Sequence, residues 1–216
     1  MAERPVFFLS RGRVTSKTYS FEWFPGFSAS QKRKSIDSLH RAVLRASPEA
    51  HPLEVSTKGG EPLGVRLSAF QLRLDGRTLE NIFQSSKVFQ DGGPYPDLLD
   101  VPPRDAKRDP RLRASGPLTA FRFQGADFPL EPKTAFYDYI YLAAASQSLT
   151  AEELGGLLAY DCFTDIEFNP ARSLNTQART AALLRLLLEE FGRVPQLSRE
   201  EFLQYHRERV APPEGG

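Results

Sequence analysis

The sequence predicts an α+β fold, mostly helical, with a small β-sheet. Three observations carry this. Apolar residues recur at the three-four spacing of a buried helix face in residues 28–46, 132–146 and 173–192. The segments that alternate or cluster as strands are short. They also do not alternate with helices in the manner of βαβ units, which excludes a parallel doubly wound sheet. The 216 residues, 40% hydrophobic and 25% charged, suffice for a core without metal or disulfide staples.

Taken in order, Pro5-Val-Phe-Phe-Leu9 reads as a strand, and residues 19–27 as a second extended stretch ending at Pro25-Gly26. A serine start followed by Ile36, Leu39, Val43 and Leu44 predicts a helix over 28–46. Residues 53–57 alternate as a strand, broken by Lys58-Gly59-Gly60. Residues 64–76 read as strand, bend and strand, with Asp75-Gly76 a tight turn. Thr78 to Phe89 reads as helix. Residues 91–118, rich in Pro, Asp and Arg, are expected to wrap the surface, and 118–124 to form a strand. Helices follow at 132–146, from about Ala151, at 173–192 with Gly192 closing it, and at 198–209. Residues 160–170 read as irregular and 211–216 as a flexible tail.

Charge excludes little, because 28 Lys and Arg balance 27 Asp and Glu. The cations are clustered, however. Arg11, Arg13 and Lys17 form one group, Lys32, Arg33 and Lys34 another, and Arg104, Lys107, Arg108, Arg111 and Arg113 the densest. A neutral protein can still carry a local basic surface. The single cysteine, Cys162, rules out an internal disulfide and fits a reducing compartment. No Cys/His spacing suggests zinc, and no apolar run approaches the ~18 residues of a membrane span. The N-terminal apolar run is too short for a signal peptide. The expectation is a soluble cytoplasmic protein.

Several residues could carry chemistry. Glu80 and Gln84 are four apart, and Lys87 follows three later, so their side chains meet on one stripe. Spacing alone fits a solvated helix face as well as a polar pocket wall. Asp161, Asp165 and Glu167 stand among Tyr, Phe and Ile, where burial would raise a carboxyl pKa toward acid–base use. Turn and capping chemistry around Asn169-Pro170 and Ser173 explains them equally well. Lys58 follows a strand, and a desolvated lysine is a nucleophile. Residues 104–113 could grip phosphate or simply be solvated. Cys162 has no histidine near it in sequence, and core packing is its simpler use. Neither a phosphate loop nor a dinucleotide fingerprint is present.

Two segments together resemble the NADAR family. Gly64-Val-Arg-Leu-Ser68-Ala69-Phe70 stands where the family has G-x-x-S-N-F. Leu79-Glu80-Asn81-Ile-Phe-Gln84-Ser-Ser-Lys87-Val-Phe89 stands where it has V-E-H-Y-F-Q-A-x-K-F. Residues 165–183 are similar to its late G-x-N-x-L-G element, and the likeness runs from about 53 to 190. Ala69 replaces the family's Asn, and Asn81 its His. The stretches at 26–40, 67–72, 85–99, 130–142 and 160–179 most resemble the branch of antitoxins that accompany DarT-type DNA ADP-ribosylating toxins.

The resemblance implies one NADAR-like catalytic core at 51–194. It would be preceded by an N-terminal extension at 1–50 packed on it, and followed by a helix and tail at 195–216. It implies cleavage of an N-glycosidic bond at C1 of ribose, with removal of ADP-ribose from guanine in DNA. Guanine-linked ADP-ribosylated DNA, ADP-ribose and a DarT-type toxin are the implied partners. No metal and no cofactor are implied. Glu80 would stabilise positive charge at C1 or position water. Lys87 or Lys58 would be a catalytic amine able to form a Schiff base. Asp165, or Asp161 in its stead, would orient the sugar or leaving base. Ser68, Phe70 and Gln84 would line the pocket, with Phe83, Phe89 or Phe168 stacking and Asn175 in the late motif. Arg113 with the other cations of 104–113, and the amides of Gly92 and Gly93, would receive pyrophosphate or DNA backbone. The alternatives are an N-glycosidase acting on a riboflavin-pathway intermediate, and a module that holds ADP-ribose or the toxin without turnover.

Overall fold

The computed structural model describes residues 1–26, 28–171 and 173–210, so the tail expected at 211–216 lies outside the described residues. The fold is α+β. In chain order it comprises β1 (Ala2–Ser10), β2 (Arg13–Phe21), α1 (Ala29–Ala46), β3 (Pro52–Glu54), α2 (Pro62–Arg66), β4 (Arg73–Leu74), β5 (Arg77–Thr78) and α3 (Leu79–Ser85). There follow β6 (Lys87–Phe89), α4 (Pro103–Arg108), α5 (Arg111–Ala114), β7 (Leu118–Phe123), β8 (Ala126–Phe128) and α6 (Ala135–Ser148). The chain ends with α7 (Ala151–Gly156), β9 (Cys162–Thr164), α8 (Gln177–Phe191) and α9 (Arg199–Arg209). Two compact units result. One comprises residues 1–68, 149–196 and 207 onward, and the other residues 69–148 and 197–206.

The first unit is built on a four-stranded sheet in the order β2-β1-β9-β3. β1 and β2 form a hairpin paired from Ala2↔Phe21 to Ser10↔Arg13. It turns at Arg11 and Gly12, both with positive φ. β9 runs antiparallel to β1 and parallel to β3. Val6, Tyr19 and Phe21 pack with Ile36, Leu39 and Val43 of α1 and with Cys162 and Ile166. Strand alternation sends Phe7 and Val14 to the other face. Ser28 caps α1 by accepting from the Gln31 N–H, as its serine start predicts. Gly192 closes α8 at φ 68°, the left-handed conformation a helix C-terminus asks of glycine.

The second unit holds the antiparallel sheet β6-β7-β8 and the short pair β4-β5. Phe83, Phe121, Phe128, Phe136 and Tyr139 form one aromatic cluster, with Phe121 and Phe136 stacked at 4.5 Å. His206 of α9 meets Asp138 of α6 at 2.8 Å, both side chains buried.

Three expected elements differ. Residues 62–66 are helical, not strand, because Pro62 opens a turn and the Leu67 N–H closes it on the Leu63 carbonyl. The helix expected to reach Phe89 ends at Ser85, and Lys87–Phe89 is a strand paired with β7. The β-branched Val88 and aromatic Phe89 suit that pleat. Residues 162–164, expected to be irregular, form the fully buried strand β9. Burial on both faces removes the alternation that marks a strand in sequence.

Candidate active site

Glu80, Gln84 and Lys87 form a hydrogen-bonded chain in the second unit. Thr78 caps α3 by accepting from the Asn81 N–H, which places Glu80 in the first turn. Gln84, one turn on, donates Nε2 to Glu80 Oε1 at 2.7 Å. Lys87 Nζ then donates to Gln84 Oε1 at 2.6 Å and stands 5.1 Å from the Phe83 ring centre. Gln84 is buried, while Glu80 and Lys87 are half-buried. Burial lowers the Lys87 amine below the ordinary lysine value, with Lys107 adding to the effect and Glu80 opposing it. Lys107 Nζ lies 3.8 Å from Glu80 Oε2, at the exposed side.

The double glycine fixes the strand that carries Lys87. A Cβ on Gly93, φ +80°, would lie 2.3 Å from the Lys87 carbonyl oxygen. The Phe89 N–H donates to the Gly92 carbonyl at 2.7 Å. Asn81, standing where the family has His, is buried. Its Nδ2 donates to the carbonyls of Leu98 (2.6 Å) and Val101 (2.8 Å), fastening α3 to the next segment. The basic run is partly committed. Arg111 is held by Asp97 at 2.5 Å and Asp109 at 2.9 Å over the Tyr95 ring. Arg104, Arg108 and Arg113 are exposed.

The first unit contains a different group, around a carboxylate that motif reading passes over. Glu54, at the end of β3, is buried. It accepts from the Ile166 N–H at 2.8 Å and from the Thr164 hydroxyl at 2.6 Å. His40 Nε2 meets the same hydroxyl at 2.9 Å. Asp165, the next residue, accepts from the N–H groups of Glu167 and Phe168, both at 3.1 Å. Burial, then the nearby Glu54 charge, push the Asp165 carboxyl up to about 8. Burial raises Glu54 as well, and lowers the His40 imidazole to about 4. Two such carboxyls hold a proton at neutral pH, because ionising both would leave like charges in a dry site. Sequence offers no cue to Glu54, because Leu53-Glu54-Val55-Ser56 alternates as a strand with one solvated face would.

The structure thus places Glu80, Gln84, Lys87, Phe70, Gly92, Gly93 and Arg113 in the second unit. Hydrogen bonds join the first three, and Phe70 is 73% exposed. Lys58, Ser68, Asp165, Phe168 and Asn175 belong to the first. There Ser68 and Asp165 are buried, Lys58, Phe168 and Asn175 half-buried, and Asp161 exposed with its carboxylate on the His51 N–H at 2.8 Å. Among the described residues no helix is long and apolar enough to cross a membrane. The sequence model of one family, described as DarT1-associated NADAR antitoxin, matches residues 2–213. No curated protein matches the chain.

Proposed function

Because the chain belongs to the DarT1-associated NADAR antitoxin family, we propose that it is an ADP-ribosylglycohydrolase. It removes ADP-ribose from guanine in DNA and so opposes a DarT-type DNA ADP-ribosyltransferase. The observation that carries this reading is the Glu80–Gln84–Lys87 chain. A half-buried amine with a lowered proton affinity is a nucleophile, and a carboxylate reaches it through one amide. Opening of the N-linked ribose gives an imine at C1. The Lys87 amine adds to C1, the C1–N bond to guanine breaks, and the guanine amine leaves with a proton. Water then replaces the lysine at C1 and releases ADP-ribose. Glu80 stabilises the positive charge that builds at C1 and passes protons. The exposed Arg104, Arg108 and Arg113 offer charge to phosphates, a backbone contact that carries no sequence information.

The test is a guanine-ADP-ribosylated oligonucleotide followed by mass, with and without borohydride. Release by the natural chain, loss in Glu80→Gln and a reduced adduct on Lys87 are expected. Tight binding without release would replace the enzyme with a binding module. Neither release nor binding would point to small N-ribosides such as riboflavin intermediates.

A further inference from the structure

In the first unit a cavity of about 300 Å³ is walled by Phe7 of β1, by Ser16 and Thr18 of β2, and by Phe168, Thr176 and Arg179. That volume is at the small end of ligand sites. Thr176 is the N-cap residue of the 15-residue helix α8, yet its side chain caps nothing. It is 2% exposed, and its hydroxyl oxygen is enclosed without a hydrogen-bond partner. An enclosed, unmatched hydroxyl carries a desolvation cost that a bound polar group relieves. The positive end of the helix dipole and the Arg179 guanidinium favour an anion there. Phe7 and Phe168 offer apolar surface beside it. Glu3, also on the wall, is turned to other work, since its carboxylate accepts from the Ser20 hydroxyl at 3.0 Å.

We propose that this cavity binds a nucleotide of the DNA strand other than the reacting guanine. The phosphate sits at the start of α8 and the base lies against Phe168 and Phe7. The inference rests on the reading that the substrate is DNA, and extends it to a strand-holding subsite. A continuous strand is favoured over a free nucleotide because the substrate of that reading is a polymer, and because Arg11 stands exposed at the turn that joins the two strands walling the cavity. Arg13 and Lys17 stand on the other face of the hairpin with Tyr19, whose ring lies 5.3 Å from the Lys17 amine.

The experiment measures fluorescence anisotropy of an unmodified single-stranded oligonucleotide with the natural chain, Thr176→Val and Thr18→Glu. Thr18 is exposed on β2, so the second variant folds even where the first does not. Each substitution should weaken binding about tenfold or more, the scale of a lost hydrogen bond to a charged group. Release of ADP-ribose from a modified guanosine mononucleotide should be unchanged in both. Free ADP-ribose should leave the oligonucleotide bound. Absence of oligonucleotide binding by the natural chain overturns the proposal, as does undiminished binding by Thr18→Glu. Displacement by ADP-ribose, or loss of mononucleotide turnover in the folded variants, also overturns it, by assigning the cavity to the reacting nucleotide. Should the natural chain bind the oligonucleotide but release nothing from either substrate, the hydrolase reading fails and the strand subsite stands.

Discussion

Replacing Asp165 with Asn should stabilise the protein increasingly as pH rises toward 8, where the gain levels off. In the folded chain this carboxyl is raised from 3.8 to about 8 by burial and by Glu54. Between those values the folded state keeps a proton that the unfolded state has lost. Stability therefore falls as pH rises, at most by about 1.4 kcal/mol per pH unit for one proton. His40 works in the opposite sense. Its value drops from 6.5 to about 4, so its contribution is lost as pH falls through that range. Above pH 6.5 the His40 effect is complete and the carboxyl pair acts alone of the two. From pH 6.5 to 8 the natural chain should lose about 2 kcal/mol, or roughly 4–8 °C in Tm for a chain of this size. The amide oxygen of Asn still accepts from the Glu167 and Phe168 N–H groups, and it carries no charge to repel Glu54. Thermal melts of both proteins across pH 6–9 measure the difference. Parallel Tm–pH curves would refute the coupled-carboxyl argument.

Four further outcomes follow from single contacts. Asn81→Ala should cost roughly 1–3 kcal/mol in urea denaturation, because the buried Leu98 carbonyl and the half-buried Val101 carbonyl lose their donor; a change under about 0.5 kcal/mol would contradict the role given to Asn81. Gly64→Ala places a Cβ 2.0 Å from the Glu54 carbonyl oxygen, which helix α2 cannot accommodate without moving off β3. A loss of about 1–3 kcal/mol is expected, and an unchanged Tm would show that the approach is looser. Lys87→Arg keeps the charge but forms no imine, so turnover should fall by at least about a hundredfold. In the natural chain, borohydride trapping of a small aldehyde on Lys87 should level off below pH 10.5, where exposed lysines are still gaining rate.

Local chemistry was legible and burial was not. Ser28, Thr78 and Gly192 announce helix ends because caps depend on neighbours in sequence. The three long helices stand out by periodicity. β9 did not, since a strand covered on both faces has no alternation to show. The Glu80–Gln84–Lys87 contact was anticipated from helical spacing, yet it forms with Lys87 on a strand. The side chains meet because a lysine is long enough to reach back across the end of α3. Glu54 illustrates the converse. A carboxylate paired through Thr164 with a histidine on α1 depends on the β3–β9 pairing, which joins residues more than a hundred positions apart.

The strand placement of Lys87 bears on the chemistry. On a helix end, the lysine would sit on a turn that frays, with four rotatable bonds between it and the substrate. On β6 its backbone is paired with Phe121 of β7. From the other side Gly93 leaves no room for its carbonyl to shift. The amine is then located by the Gln84 oxygen and by the Phe83 ring, itself 5.2 Å from Phe121. Four contacts thus hold one amine: the Phe121 pairing, Gly93, the Gln84 oxygen and the Phe83 ring. The proposed reaction needs such an arrangement, because it depends on one atom reaching C1 of a sugar. It follows that Gly93→Ala should lower turnover without contacting substrate. An enlarged KM with turnover intact would instead place the glycines in binding, as amides facing phosphate.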